Sequence, residues 1–205
     1  MKKGLILIGI TAAVVVAYFV FFAEDESAQP EAPKQQPLAQ SKNSDAFNKP
    51  FNDMVNSYFQ LKDALVEWDT AKATSSATML ADLAGKIPFE EIKGDTTITA
   101  TAKSFAGSVV AEAQGVAGET SIEQKRRSFY TLSENLFNLL RTVKYDQQVI
   151  YYDKCPMAFN DEETAYWLSN SKEIVNPYLG NKHPKYKSGM IGCGSIEDSV
   201  SYITQ

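Results

Sequence analysis

The chain has one histidine, His183, and two cysteines, Cys155 and Cys193, in 205 residues. Those shortages exclude several kinds of chemistry. A zinc finger or ribbon takes about four Cys or His ligands, and a ferritin-like di-iron centre takes Glu-x-x-His on two helices. A Ser-His-Asp triad would depend on His183, which lies in a Pro- and Lys-rich stretch and reads as an exposed loop residue. An excess of positive charge is also missing: 20 Lys and Arg stand against 25 Asp and Glu, for a net charge of −5. Nothing electrostatic therefore draws the chain to nucleic acid. The one basic cluster, Lys125, Arg126 and Arg127, sits beside Glu123 and is expected on a solvated helix face. No acid/base pair and no nucleophile with its base can be assembled, so no enzyme is expected.

What is present begins with a hydrophobic run. Lys2 and Lys3 precede an uncharged stretch from Gly4 to Ala23, closed by Glu24-Asp25-Glu26. A helix of that length spans about 30 Å, the thickness of a hydrocarbon core. Residues 1–23 therefore read as a transmembrane anchor or signal segment with its lysines in the cytoplasm. The run exceeds the roughly 7–15 apolar residues of a cleaved signal, and it ends in Phe21-Phe22-Ala23 rather than a small-x-small site. An uncleaved helix tethering a periplasmic protein to the inner membrane is expected, with cleavage and release into the periplasm as the alternative. Residues 24–46 carry Pro30, Pro33 and Pro37 among Gln, Ala and Ser, and read as a disordered tether.

Residues 47–144 show helical periodicity. Phe51, Met54, Tyr58, Leu61, Leu65 and Trp68 share one stripe, with Pro50 near the start, and Ala73, Ala77, Leu80, Ala84 and Ile87 form a second, smaller one ending at Pro88. After a turn at Gly94-Asp95 a third stripe runs through Ile98, Ala102, Phe105 and Val109, closed by Gly115 and Gly118. Thr120 or Ser121 caps a fourth helix with Ile122, Phe129, Leu132, Leu136, Leu139 and Val143 on its stripe. The fold predicted is mainly α, an up-down-up-down four-helix bundle with a short β/loop C-terminal segment. No Cys or His lies between residues 47 and 143, so the stripes are core, and Met54 and Met79 are expected there as single packing methionines.

From 145 to 205 the character changes, in a tail expected to pack on the bundle as one domain with it. Residues 147–152 and 165–169 read as strands, and 176–180 as a turn. Two sulfur pairs stand out: Cys155 with Met157, and Met190 with Cys193. Thiolate and thioether sulfur suit a soft ion such as Cu(I), and convergence of two or three would form a low-coordinate site without histidine. Pro156 stiffens the first pair, and Gly192 and Gly194 let backbone approach the second. The other reading is a disulfide between Cys155 and Cys193, closing a loop of about 39 residues and worth up to ~4 kcal/mol. Met157 and Met190 then pack beside the bridge.

Tyr151-Tyr152 before Cys155-Pro156-Met157-Ala158, then Ala165-Tyr166-Trp167-Leu168-Ser169, Glu173-Ile174, Asn176-Pro177-Tyr178 and Met190 with Cys193-Gly194, resemble a bacterial domain-of-unknown-function family. Its members also occur fused to periplasmic adaptor subunits of copper/silver-type heavy-metal efflux pumps. The resemblance spans 47–205, with its specificity in 151–194; here the stretch Asn181–Gly189 is longer than a tight turn needs. It implies an extracytoplasmic location and a link to metal resistance, with Cys155, Met157, Met190 and Cys193 at the sulfur positions. The expectation is a periplasmic Cu(I)-binding accessory protein for heavy-metal efflux or copper handling, with an efflux-complex or cuproprotein partner. The alternative is a non-catalytic, disulfide-stapled interaction module of a membrane-associated complex, with Trp167, Tyr166 and Tyr178 as candidate surface anchors and core packing as the other reading of Trp167.

Overall fold

The first long helix starts six residues earlier than its apolar stripe. The computed structural model of the protein describes residues 42–92 and 96–203. The chain divides into Met1–Pro37 and Leu38–Gln205. The anchor, most of the tether and the Gly94-Asp95 turn lie outside the described residues, among which no helix is long and apolar enough to cross a membrane. Helix α1 is Asp45–Val66, opened by Ser44, whose side chain accepts from the Phe47 N–H. Pro50 therefore lies inside the helix, where it lacks a ladder donor, rather than at the start. Residues 42–46 are not tether. The Lys42 N–H donates to Asp146 at 3.0 Å and the Asn43 side chain to the Val143 carbonyl at 3.0 Å, which pins this stretch to the far end of the helical region.

Helix α2 is Thr70–Ala84, capped by Asp69, and a 3₁₀ turn, Phe89–Glu91, follows Pro88. Helix α3 is Thr96–Gly118, and α4 is Ile122–Thr142 with Ser121 as its cap, accepting from Gln124. Consecutive helices pack on one another. The stripes are core at nearly every expected position, with Phe51, Met54, Tyr58, Leu61, Leu65, Leu80 and Phe129 all fully buried. Trp68 and Ile87 fall just past their helices. Met79 is the exception, 51% exposed. It sits one position, about 100°, off the Ala73–Ala77–Leu80–Ala84 stripe, so it faces outward.

The basic cluster is a second correction. Lys125 and Arg126 are 1% and 3% exposed, and only Arg127 lies outside, paired with Glu163 at 3.0 Å. The physical reason is the gap in the α4 stripe. Between Ile122 and Phe129 the inward positions are 125 and 126, three and four residues before Phe129. Lys125 Nζ donates to Thr74 Oγ1 at 2.8 Å and the Val116 carbonyl at 2.7 Å, tying three helices together.

The C-terminal part is a three-stranded antiparallel sheet, order β2-β1-β3, with β1 Ile150–Phe159, β2 Glu163–Ser169 and β3 Ser195–Val200. The second strand matches the sequence reading in place, whereas β1 starts three residues later than expected and runs on through Cys155-Pro156-Met157. The third is additional. It is exposed except at Val200 and carries Glu197 and Asp198, the guise of a protected edge rather than of a buried strand. Tyr58 joins the layers: its hydroxyl bonds Ser133 at 2.7 Å on α4 and accepts from the Leu168 N–H at 2.9 Å on β2.

A loop from Asn176 to Asn181 returns to the end of α1, where the Asn181 N–H donates to the Val66 carbonyl at 2.9 Å. Gly180 makes this docking feasible. It has φ +59°, and a Cβ there would lie 2.5 Å from the Val66 oxygen and 2.6 Å from Trp68 Nε1. Gly180→Ala is expected to cost about 2 kcal/mol or more, read by urea denaturation. A loss under about 0.5 kcal/mol would mean that the loop does not hold this seat.

Candidate functional site

Strand register brings the cysteines together. Along β1 the regular pairing ends at Cys155↔Ala165 on one side and at Lys154↔Ser195 on the other. Past Cys155 the ladder to β2 is irregular until Phe159, which accommodates Pro156, a residue with no N–H to contribute. On the other side the chain enters β3 from Cys193-Gly194. Gly194, at φ +147°, lies so close that a Cβ would sit 2.6 Å from the Lys154 carbonyl and 2.9 Å from the Trp167 ring. This close approach fits the role expected of Gly194; Gly192 is open, with nothing nearby. The two sulfurs end 4.0 Å apart, and both cysteines are free thiols.

Asn176 holds the second cysteine in place. Its side-chain amide donates to the Cys193 carbonyl at 2.7 Å, while its oxygen accepts from the Tyr178 N–H at 2.8 Å and the Leu179 N–H at 3.1 Å. It is fully buried. The Cys193 N–H donates to the Met190 carbonyl at 3.0 Å, so that pair shares a tight turn. Met157 and Met190 are half-buried against the same core. Among the described residues no group of three or more His, Cys, Asp and Glu is placed to hold a metal ion. The donors that the geometry brings together are the two thiols; Met157 and Met190 stand two and three residues from them along the chain.

Does that set fit a soft ion? A thiolate–metal bond of roughly 2.3 Å allows two sulfurs on one ion to stand about 3.8 Å apart at a tetrahedral angle and up to about 4.6 Å apart when collinear. The observed 4.0 Å falls within that interval. A disulfide needs about 2.05 Å, so oxidation would have to close roughly 2 Å. Cys155 is fully buried and Cys193 half-buried. Burial pushes the Cys155 thiol up to about 11, while the Met157 amide and the Asn176 side chain act the other way. At neutral pH Cys155 is a thiol that gives up its proton only to a partner that replaces it.

Asp153, two residues before Cys155, is also fully buried. One oxygen accepts from Ser169 at 2.7 Å; the other, like Trp167 Nε1, has no hydrogen-bond partner. Burial pushes its carboxyl up to about 6, with the Ser169 hydroxyl and Lys62 opposing. The neutral form is the one the fold accommodates. Its contribution is fully present below about pH 4 and is lost as pH rises through about 6, roughly 2–3 kcal/mol in all. Denaturation of the metal-free protein between these limits should show that decline, and Asp153→Asn should flatten it. An unchanged slope in the variant would assign the decline to another group.

Of the three aromatic residues expected as surface anchors, two are not on the surface. Trp167 and Tyr178 are fully buried, edge to face at 6.0 Å. Tyr166 is half-buried, stacked on Tyr152 at 4.8 Å and on Tyr130 at 6.3 Å. His183 is not a free loop residue either: its ring stacks on Tyr186 at 5.0 Å and meets Trp68 edge-on at 5.8 Å.

These observations define a mainly α-helical protein ending in a small antiparallel sheet that bears two facing thiols. Residues 54–148 match the family model described as Protein of unknown function (DUF3347). The match runs from α1 to just before β1, so the helical region carries the likeness to a domain-of-unknown-function family, and the sulfur-bearing sheet lies beyond it. No curated protein and no solved structure matches the chain.

Proposed function

We propose that the protein is a periplasmic, inner-membrane-tethered accessory that binds Cu(I) or a similar soft ion between Cys155 and Cys193 and hands it to an efflux or cuproprotein partner. The observation that carries this reading is the 4.0 Å thiol pair at the end of β1. Thiolates select soft ions over Mg²⁺ or Ca²⁺ by polarisability, and Met157 and Met190 would add thioether sulfur. The ion is cargo here. The chain's own part is to hold two sulfurs at a spacing one ion can bridge, and to keep Cys155 out of water. The resemblance read from residues 151–194 would point the same way, while the family match itself covers residues 54–148. The three-residue connections between α1 and α2 and between α3 and α4 support an up-down-up-down order for α1 to α4.

A disulfide would be the off state of this site, because oxidation consumes both thiolates. The experiment is an anaerobic Cu(I) titration of the full-length chain, reduced and oxidised, against a competing chelator. Tight, one-to-one binding by the reduced form alone supports the proposal. A reduced, folded protein that takes no Cu(I) from the chelator would sink it. The pair would then be a staple in an interaction module, and the half-buried Tyr130–Tyr166 pair, backed by buried Tyr152, would be the surface to test for a partner.

A further inference from the structure

Away from the thiols, a cavity of about 620 Å³ opens between the start of α4, the end of β1 and the loop carrying His183. That volume is in the range of small-ligand pockets. Its floor is apolar: Ala158, Phe159 and Tyr178 are all buried. One charged group lines it from inside the fold, Arg126, only 3% exposed.

Arg126 has a structural task that accounts for part of its donors. Its Nε donates to the Pro177 carbonyl at 2.7 Å and one Nη2 proton goes to the Leu65 carbonyl at 2.9 Å, clamping the 176–181 loop to the end of α1. The guanidinium lies 4.0 Å over the Trp68 ring. Both acceptors are neutral. No ion pair among the described residues includes Arg126, and Nη1 has no hydrogen-bond partner there. Burial pulls this guanidinium down to about 9, and the Glu123 carboxylate, three residues before it on the same lining, opposes that shift. A second observation points the same way. Ser121 and Ile122, the N-terminal end of the 21-residue helix α4, line the same cavity and turn a helix's positive pole toward it.

We propose that this cavity binds a small organic monocarboxylate with an apolar, aromatic-sized body. The Nη1 group and the remaining Nη2 proton form a fork that matches a carboxylate's two oxygens, and the floor of Ala158, Phe159 and Tyr178 receives the body. The lining is neutral overall, with Lys185 matched by Asp161 and Arg126 by Glu123. The anchor is therefore the free donors of Arg126 rather than net charge, and a dianion such as phosphate meets the two carboxylates. The site is separate from the thiol pair, and its test leaves the metal reading untouched.

Phenylacetate, its neutral isostere phenylacetamide and inorganic phosphate would each be titrated into the full-length chain. Binding is followed by tryptophan fluorescence, since Trp68 lines the cavity, and by the shift in Tm. Saturable one-to-one binding of phenylacetate is expected, at least about tenfold tighter than the amide, with phosphate weaker still. Arg126→Gln should reduce phenylacetate affinity by about tenfold or more. Should that variant not fold, Ile122→Trp, a half-buried position on the lining, fills the cavity instead and should abolish binding. No saturation at millimolar phenylacetate, equal affinity for the amide, phosphate binding as tightly, or binding undiminished in a folded cavity variant would each overturn the proposal.

Discussion

Cys155→Ser should lower Cu(I) affinity by more than about a hundredfold while leaving the helical circular dichroism intact. Loss of a residue that merely supports a metal ligand costs about 10–100-fold, so loss of one of two thiolates must exceed it. Serine is near-isosteric, and Cys155 donates nothing to the fold that its hydroxyl could not, save the 4.0 Å contact with Cys193. Cys193→Ser should do the same. The pH dependence is an independent signature. Because burial holds the Cys155 thiol up near 11, binding must displace its proton, and affinity should rise at least about tenfold per pH unit through the neutral range, more steeply if Cys193 also gives up a proton. Competition titrations at three pH values would show it. An affinity independent of pH, or a Cys155→Ser protein that binds as the wild type does, would remove Cys155 from the site.

Trp167→Ala should be the most destabilising single change in the sheet, at about 3–5 kcal/mol. The side chain is fully buried between Tyr178 and the Gly194 backbone, and alanine would leave a cavity under the strand that presents Cys193. The same variant should slow disulfide formation, since the Cys193-Gly194 turn rests on that ring. Trp167→Phe is the informative companion. It removes an indole N–H that is buried without a partner, so part of the lost packing is offset and the cost should fall below that of alanine by at least about 1 kcal/mol. Chemical denaturation of the three proteins would settle the order. A loss below about 1 kcal/mol for alanine would mean that the ring does not carry the sheet.

Much of this molecule is legible in the residues. Four helices follow from 3.6-residue stripes, and Ser44, Asp69 and Ser121 cap them as short oxygen-bearing side chains should. The thiol pair was readable only as two candidates, because spacing in sequence does not say which strand lies beside which. The register of β1 with β3 supplies that, and β3 itself is masked by its polar edge composition. Arg126 was misread for a different reason. A run of three basic residues looks like a wet face, yet two of the three occupy the gap in the Ile122–Phe129 stripe. Counting the stripe through the charges, rather than around them, would have found both. Trp167 and Tyr178 show the converse: aromatic residues in a Pro- and Gly-punctuated tail need not be on its surface.

The strand order β2-β1-β3 also sets a timetable. Synthesis delivers β1 and β2 together, so that hairpin can zip as soon as Ser169 is available, but the other edge of β1 waits for residues 195–200. Until then Cys155 is a solitary thiol beside an open edge, which is the arrangement that invites a stranger's strand. Docking of β3 closes the edge and brings Cys193 to 4.0 Å in one event. The second sulfur thus arrives with the last strand of the sheet, and under the proposed function a chain could hold an ion between its thiols only once that assembly is complete.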